Sequence, residues 1–241
     1  MVAAGLWGLL AASSLLIGAL VSFTLSPNRR TIGLVMGFGS GVLISAVAYD
    51  LVDESLKIGE PGAVAAGLAA GALAFFSGDL LIARHGGADR KRSHGEQDAG
   101  KPKAIVLGTV LDGVPESIVI GLSLIGGGGV SVAVIAAVFL SNLPESIAAS
   151  TGLDKAGFGR ARIVRMWIAI TVVSAAASAI GFGAFDGADP DLIAFTQAFA
   201  GGALLTMLAD TMMPEAFEQG GRAVGLLTVL GFAVAFALTN L

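Results

Sequence analysis

Two similar motifs hold the residues of this chain that are best suited to chemistry. Asp-Gly-Val-Pro-Glu-Ser occupies positions 112–117, Ser-Asn-Leu-Pro-Glu-Ser occupies positions 141–146, and each motif lies inside an apolar segment. A proline in a helix interior removes a backbone hydrogen bond and loosens the carbonyl four residues earlier, here those of Leu111 and Leu140. Carboxylates and bare carbonyls are costly in apolar surroundings, and a bound cation would compensate both.

The spacing places the polar residues of each motif on one side of a helix. Residues four apart share a helical face, so Asp112 falls in line with Glu116, and Ser141 with Glu145. Asn142 lies beside the second pair. No lysine or arginine lies in either apolar segment, and like charges cannot all stay ionised in a dry interior without a counter-charge. We therefore predict that these five side chains bind a divalent metal cation between two helices.

Other interpretations of the same acids remain open at this point. The carboxyl groups could be protonated and hydrogen-bonded between helices, or they could carry protons without a metal. Intramembrane catalysis is disfavoured, because no histidine lies in an apolar segment to activate a serine. A two-aspartate protease would need a second aspartate facing Asp112. We therefore expect that the protein is not an enzyme.

The composition indicates a membrane protein. Of the 241 residues, 55% are hydrophobic and 13% charged, with a mean hydropathy of +0.84, whereas soluble domains carry about 25% charged residues. The absence of cysteine excludes disulfides and thiolate metal sites. Met1 opens directly into an apolar run without a basic region or cleavage site, which we interpret as a retained span. The expected partners are the lipid bilayer and a metal ion, with no nucleic acid.

Eight segments reach the length of about 20 apolar residues that crosses a bilayer. The predicted spans cover residues 2–25, 31–52, 63–83, 104–125, 130–150, 162–185, 192–213 and 223–241. The polar stretch 84–103 is predicted to be a loop. Only glycines, 126–129, join the fourth and fifth spans, which makes these spans antiparallel neighbours. The predicted fold is all-α, a single transmembrane domain covering residues 1–241.

The basic residues give the orientation, because short cytoplasmic loops collect Lys and Arg. With the amino terminus outside, nearly all of them fall on the cytoplasmic side, and only Lys57 falls outside. The cytoplasmic set is Arg29, Arg30, Arg84, Arg90, Lys91, Arg92, Lys101, Lys103, Lys155, Arg160, Arg162, Arg165 and Arg222. We therefore predict a multi-pass protein of the cytoplasmic (inner) membrane, with both termini outside and loop 84–103 in the cytoplasm.

The second and seventh spans also resemble each other. Residues 38–45 align without a gap onto 199–206, and the same offset brings Glu54 onto Glu215. With eight spans these two helices cross the membrane in opposite senses. The similarity therefore predicts an inverted repeat of spans 1–3 and 6–8 around a kinked central pair, 4 and 5, a recurring plan of secondary transporters. Chance similarity between small-residue membrane helices is the alternative.

Further acids lie nearer the ends of these two spans. Asp50 is predicted to line an outer vestibule and Asp210 an inner one, with Asp53, Glu54 and Glu215 around them. Solvated helix ends would account for Glu54 and Glu215 equally well.

The predicted cytoplasmic loop contains the two histidines of the chain. His85 and His94 share it with Glu96 and Asp98, so that weak metal capture is conceivable. Two histidines in a polar loop are more often simply solvated.

These motifs resemble the ZIP (Zrt/Irt-like) family of divalent-metal transporters, in a divergent bacterial type. The family has eight spans, both termini outside, a cytoplasmic loop after the third span and a metal site on proline-kinked spans four and five. Its bacterial members often carry His-Asn-x-Pro-Glu-Gly on both helices, which matches 112–117 and 141–146. In the seventh span Gly201-Gly202-Ala203, Asp210 and Pro214-Glu215-Ala216 are also similar to the family. The resemblance implies metal ligands at Asp112, Glu116, Asn142 and Glu145.

The departures from the family bear on the metal. Asp112 and Ser141 replace both histidines, Gly113 replaces the first asparagine, and Ser174-Ala175 stands where span six often has a glutamate before proline. Imidazole favours Zn²⁺, whereas oxygen donors suit Mn²⁺, Mg²⁺ and Ca²⁺. We expect inward transport of zinc or of Fe- or Mn-type ions, with reduced zinc selectivity. The alternative is a non-transporting membrane scaffold, and the oligomeric state, including a homodimer, stays open.

Overall fold

The computed structural model describes residues 1–25, 27–84, 113, 116–125 and 132–239. Over these residues the chain consists of helices and short turns, without a strand, which confirms the predicted all-α class. The described helices include α1 (Val2–Thr24), α2 (Arg29–Ala46), a first π segment (Val47–Asp53), α3 (Glu54–Ile58), α4 (Pro61–Ile82), α5 (116–122), α6 (Val132–Lys155), α7 (Arg160–Phe185), α8 (Pro190–Met207), a second π segment (Leu208–Met212), α9 (Met213–Gly220) and α10 (Ala223–Thr239).

Six helical runs of the described chain are long and apolar enough to cross a membrane, as in a multi-pass membrane protein. They are Val2–Thr24, Arg29–Ile58, Pro61–Ile82, Val134–Lys155, Arg160–Phe185 and Pro190–Gly220. Helix α10 is apolar but shorter, with 17 residues. The predicted fourth span is described only at 113 and 116–125, and of the predicted loop 84–103 only residue 84 is described.

The second and seventh predicted spans are shorter than the helices that contain them. The helical runs continue to Ile58 and Gly220, beyond the apolar stretches on which the predicted ends at 52 and 213 were based. Hydropathy marks apolar surface, whereas a helix continues until a residue interrupts it. After Gly220 that residue is Gly221, whose φ of 67° few other residues adopt.

Side-chain caps and prolines explain where several helices begin. The Asn28 side chain accepts a hydrogen bond from the Thr31 backbone N–H at 2.9 Å, which starts α2. Pro61 and Pro190 occupy the first turns of α4 and α8, where the missing N–H costs nothing. The Asp189 carboxylate caps α8.

Helix α1 lies between α6 and α7 and packs closely on both. A Cβ atom placed on Gly18 would overlap the hydroxyl of Ser146 in α6, and one on Gly8 would lie 2.6 Å from Cβ of Ser178 in α7. Helix α5 packs on the same part of α7, because a Cβ on Gly121 would overlap the Ser178 carbonyl oxygen. Small residues thus let these backbones approach as they do in membrane helices generally.

Helix α2 pairs with α10 through two reciprocal glycine contacts. A Cβ on Gly41 would overlap the carbonyl oxygen of Thr228, and a Cβ on Gly231 would overlap that of Phe38. Each helix therefore presents a glycine to a backbone carbonyl of the other.

Helix α4 pairs with α8 in the same manner. A Cβ on Gly202 would overlap the carbonyl oxygen of Leu68, and a Cβ on Gly71 would overlap that of Phe199. The sequence alignment places Phe199 on Phe38 of α2, and Gly202 on Gly41. The similarity between the second and seventh spans therefore extends to how each packs on its neighbour.

The π segments interrupt the two long helices at corresponding places. Leu208 follows Phe199 at the same distance along the chain as Val47 follows Phe38. A Cβ placed on Gly201 would lie 3.4 Å from the Val47 side chain, so the first π segment packs on α8. Single-turn π segments inside α-helices occur frequently at functional sites.

The core of the described structure lies around α2. The apolar stretch of Arg29–Ile58 is 67% buried, against 17% for Pro61–Ile82. Met36 and Leu43 of α2 and Met207 of α8 are among the largest fully buried side chains. Helix α4 is therefore peripheral, whereas α2 is surrounded by other helices.

Candidate metal site between α5 and α6

A hydrogen bond joins the two proline motifs. The hydroxyl of Ser141 on α6 donates to Oε1 of Glu116 on α5 at 3.1 Å, and the two residues are 1% and 2% exposed. The same hydroxyl lies 3.0 Å from the Val138 carbonyl oxygen of its own helix. Because a serine carries one hydroxyl proton, it serves one of these acceptors at a time. The structure thus brings together two of the five predicted metal ligands.

The other predicted ligands of α6 follow within one turn. Asn142 is buried, with 5% of its surface exposed, and Glu145 is half-buried. Pro144 lies inside α6, which remains one helix from Val132 to Lys155. Another side of α6 carries Ser146 and packs on α1, so α6 meets α5 and α1 through different residues.

The carbonyl that Pro144 releases lies beside α2. A Cβ atom on Gly39 would be 3.0 Å from the Leu140 carbonyl oxygen and 3.4 Å from Cε of Met212 in the second π segment. The sequence predicted that this oxygen converges with the acids. In the structure it occupies the space that the missing side chain of Gly39 provides.

Hydroxyl groups surround the beginning of α5. The Ser117 hydroxyl donates to the Gly113 carbonyl oxygen at 2.6 Å. Ser174 of α7 is buried, and its Oγ lies 3.8 Å from where a Cβ on Gly113 would be. The hydroxyls of Ser117 and Ser174 therefore both lie near Gly113.

The predicted outer acids have partners of their own. Asp50 accepts a hydrogen bond from the Thr239 hydroxyl at the end of α10, at 3.4 Å. Lys57 forms ion pairs with Asp53 at 2.8 Å and with Glu54 at 3.2 Å. About half of each of these two acidic side chains is exposed. Such pairs contribute little to stability, and the solvated-end interpretation fits Glu54.

The predicted inner acids differ in exposure. Asp210 lies exposed on the second π segment. Glu215 is half-buried and accepts a hydrogen bond from the Gln219 amide one turn later, at 2.7 Å. This contact lies within α9 itself.

Three predicted residues, Asp112, His85 and His94, lie outside the described residues. Within the described ranges, no three His, Asp or Glu side chains come close enough to hold a metal ion. The predicted ligand set also draws on Asp112, an amide and a hydroxyl, so it stays a prediction.

One participant at this site was missed from the sequence. The Val138 carbonyl is the second acceptor of Ser141. A signal existed, because helical serines commonly donate to a carbonyl three or four residues earlier. Once the two helices are known to be neighbours, that rule identifies the Val138 carbonyl and Glu116 as competing acceptors for the Ser141 hydroxyl.

Comparison with known proteins gives a distant similarity. No protein-family model matches the chain. Over 205 residues, or 84% of its length, the chain is 26% identical to the Arabidopsis thaliana protein named "Putative zinc transporter At3g08650". The chain spans about a third of that protein's length, 33%.

Proposed function

We propose that this chain transports a divalent metal cation across a membrane through a site between α5 and α6. The observation that carries the proposal is the buried contact of Ser141 with Glu116, in a chain whose described residues include six apolar helices of membrane-spanning length. A carboxylate buried among such helices is costly unless a partner compensates its charge. The similarity to a protein named as a zinc transporter supports a metal ion as that partner.

Transport through this site is ligand exchange rather than enzyme chemistry. Glu116 and Glu145 hold the dehydrated ion, and Asp112 and Asn142 complete its oxygen shell. Protonation of a carboxylate then promotes release. Because the donors are oxygen atoms, Mn²⁺ and Fe²⁺ should compete with Zn²⁺ more successfully than at a histidine-containing site.

The proposal includes import into the cytoplasm through an inverted repeat, with both termini outside the inner membrane. The reciprocal glycine contacts support this arrangement, because α2 meets α10 as α8 meets α4. The corresponding positions of the two π segments support it independently. The basic residues support the orientation.

Uptake into proteoliposomes tests the proposal. The purified protein is reconstituted with an internal metal-sensitive dye, and Zn²⁺, Mn²⁺ or Fe²⁺ is added outside. Glu116→Gln and Glu145→Gln should each lower uptake by roughly a hundredfold, the effect of removing a buried charged partner. Asp154→Asn is the matched control, because this α6 carboxylate forms only a partly exposed ion pair with Arg160 at 3.5 Å.

Two results would contradict the proposal. Wild-type vesicles that take up no more metal than protein-free vesicles would favour the scaffold. Folded Glu145→Gln protein with wild-type uptake would also exclude a transport site that uses this acid. In a scaffold with protonated acids, the substitution should change only the unfolding temperature.

A further inference from the structure

The hydroxyl of Ser141 can serve two acceptors without movement of a heavy atom. Oε1 of Glu116 lies 3.1 Å away on the neighbouring helix, and the Val138 carbonyl oxygen lies 3.0 Å away on its own. Rotation of the hydroxyl proton is enough to exchange one hydrogen bond for the other. Few rearrangements at a site could require less motion.

Burial makes the choice between the two acceptors consequential. Ser141, Glu116 and Val138 are at most 4% exposed, so bulk water has little access to replace either hydrogen bond. A hydrogen bond to a charged group contributes more than one to a neutral carbonyl. The hydroxyl should therefore donate to Glu116 while the carboxylate carries its charge and no cation is present.

We propose that Ser141 is a positioning residue that holds Glu116 in the empty site and transfers its hydrogen bond to Val138 when a cation binds. This inference rests on the proposed transport function. A cation that occupies Oε1 of Glu116 repels the hydroxyl proton. The proton then turns to the Val138 carbonyl, and the carboxylate oxygen is free to ligate the ion. Release of the ion restores the first hydrogen bond.

The exchange predicts a particular kinetic effect of removing the hydroxyl. The hydrogen bond to Glu116 stabilises the empty site and opposes ion binding, so its loss should tighten binding and slow release. Ser141→Ala should lower KM for Zn²⁺ and Mn²⁺ by roughly tenfold, the ratio expected for a hydrogen bond to a charged group. The maximal uptake rate should fall as well. Ser141→Thr keeps the hydroxyl, so its KM should stay closer to the wild-type value than the KM of Ser141→Ala does.

Other roles of Ser141 give different results in the same proteoliposome assay. If the serine oxygen acts mainly as a metal ligand, Ser141→Ala raises KM, which would overturn the inference. If the residue only packs, KM and maximal rate are unchanged in Ser141→Ala, which would also overturn it. Should the alanine variant fail to fold, KM is compared between Ser141→Val and Ser141→Thr. These two side chains have nearly the same shape and differ only in the hydroxyl group.

The assay separates failure of this inference from failure of transport. Wild-type uptake that depends on Glu116 and Glu145, combined with an unaffected Ser141→Ala, overturns the role of Ser141 alone. Wild-type vesicles without metal uptake overturn the transport proposal, and the role of Ser141 falls with it.

Discussion

The glycine contact between α10 and α2 gives a prediction whose size follows from the structure. A Cβ atom on Gly231 would overlap the Phe38 carbonyl oxygen, so Gly231→Ala must push two backbones apart. Alanine improves helix propensity by up to about 1 kcal/mol, whereas overpacking costs about 1–3 kcal/mol. Because the obstacle is backbone rather than a flexible side chain, we expect the packing cost to exceed the gain.

The same helix offers a matched control. Gly225 lies six residues before Gly231 in the chain, and the nearest atom to an added Cβ there is Cζ of Phe217, at 4.0 Å. Gly225→Ala should therefore leave the unfolding temperature unchanged or raise it. Each kcal/mol corresponds to about 2–4 °C in a chain of this size, so Gly231→Ala should unfold several degrees below Gly225→Ala. Thermal unfolding in detergent, followed by the loss of the monodisperse protein, measures the difference.

A second pair of variants tests the correspondence between the two helix pairs. Gly71 of α4 meets the Phe199 carbonyl as Gly231 meets that of Phe38, whereas nothing lies within 4 Å of a Cβ on Gly62. Gly71→Ala should be destabilising and Gly62→Ala should not. Equal unfolding temperatures within each pair of variants would refute the close packing. A loss confined to Gly231→Ala would refute the correspondence.

Two further predictions concern the metal and the contact of α6 with α7. Asp112→His should raise the ratio of Zn²⁺ to Mn²⁺ uptake in proteoliposomes, because imidazole favours zinc; an unchanged ratio would contradict the argument from oxygen donors. Trp167→Phe removes a buried hydrogen bond from Nε1 to the Ser150 hydroxyl, of 2.8 Å, and should cost roughly 1–3 kcal/mol in unfolding free energy. Adding Ser150→Ala should then cost little more, so additive losses in thermal unfolding would argue against that bond.

The sequence predicted the features that depend on apolar length and helical spacing. The apolar stretches predicted the all-α class, because a chain in lipid must satisfy its backbone within helices. The four-residue spacing placed Ser141 on the face of its helix that Glu145 shares, and the short glycine connector at 126–129 predicted that the fourth and fifth spans are neighbours. In the structure the Ser141 hydroxyl donates a hydrogen bond to the Glu116 side chain.

Backbone positions in three dimensions were not predictable in the same way. Pro144 indicates that the Leu140 carbonyl lacks its usual hydrogen bond within the helix. Which neighbour this carbonyl contacts depends on Gly39 of another helix, which the sequence does not reveal. Likewise, hydropathy does not reveal a π segment, because the change is in hydrogen-bond register rather than in side-chain polarity. The predicted inner and outer acids were located by chain position alone, and their contacts had to come from the structure.

The first π segment changes which side of the helical run Arg29–Ile58 faces a given neighbour. A π turn accommodates an extra residue, and each residue advances a helix by about 100° around its axis. Before the segment, Gly37 lies against Val224 and Gly41 against Thr228 of α10; beyond it, Ser55 donates to Gln197 of α8. The extra residue rotates the side chains beyond the segment around the helix axis. A continuous helical run of 30 residues can therefore contact different neighbours at its two ends, although it contains no proline.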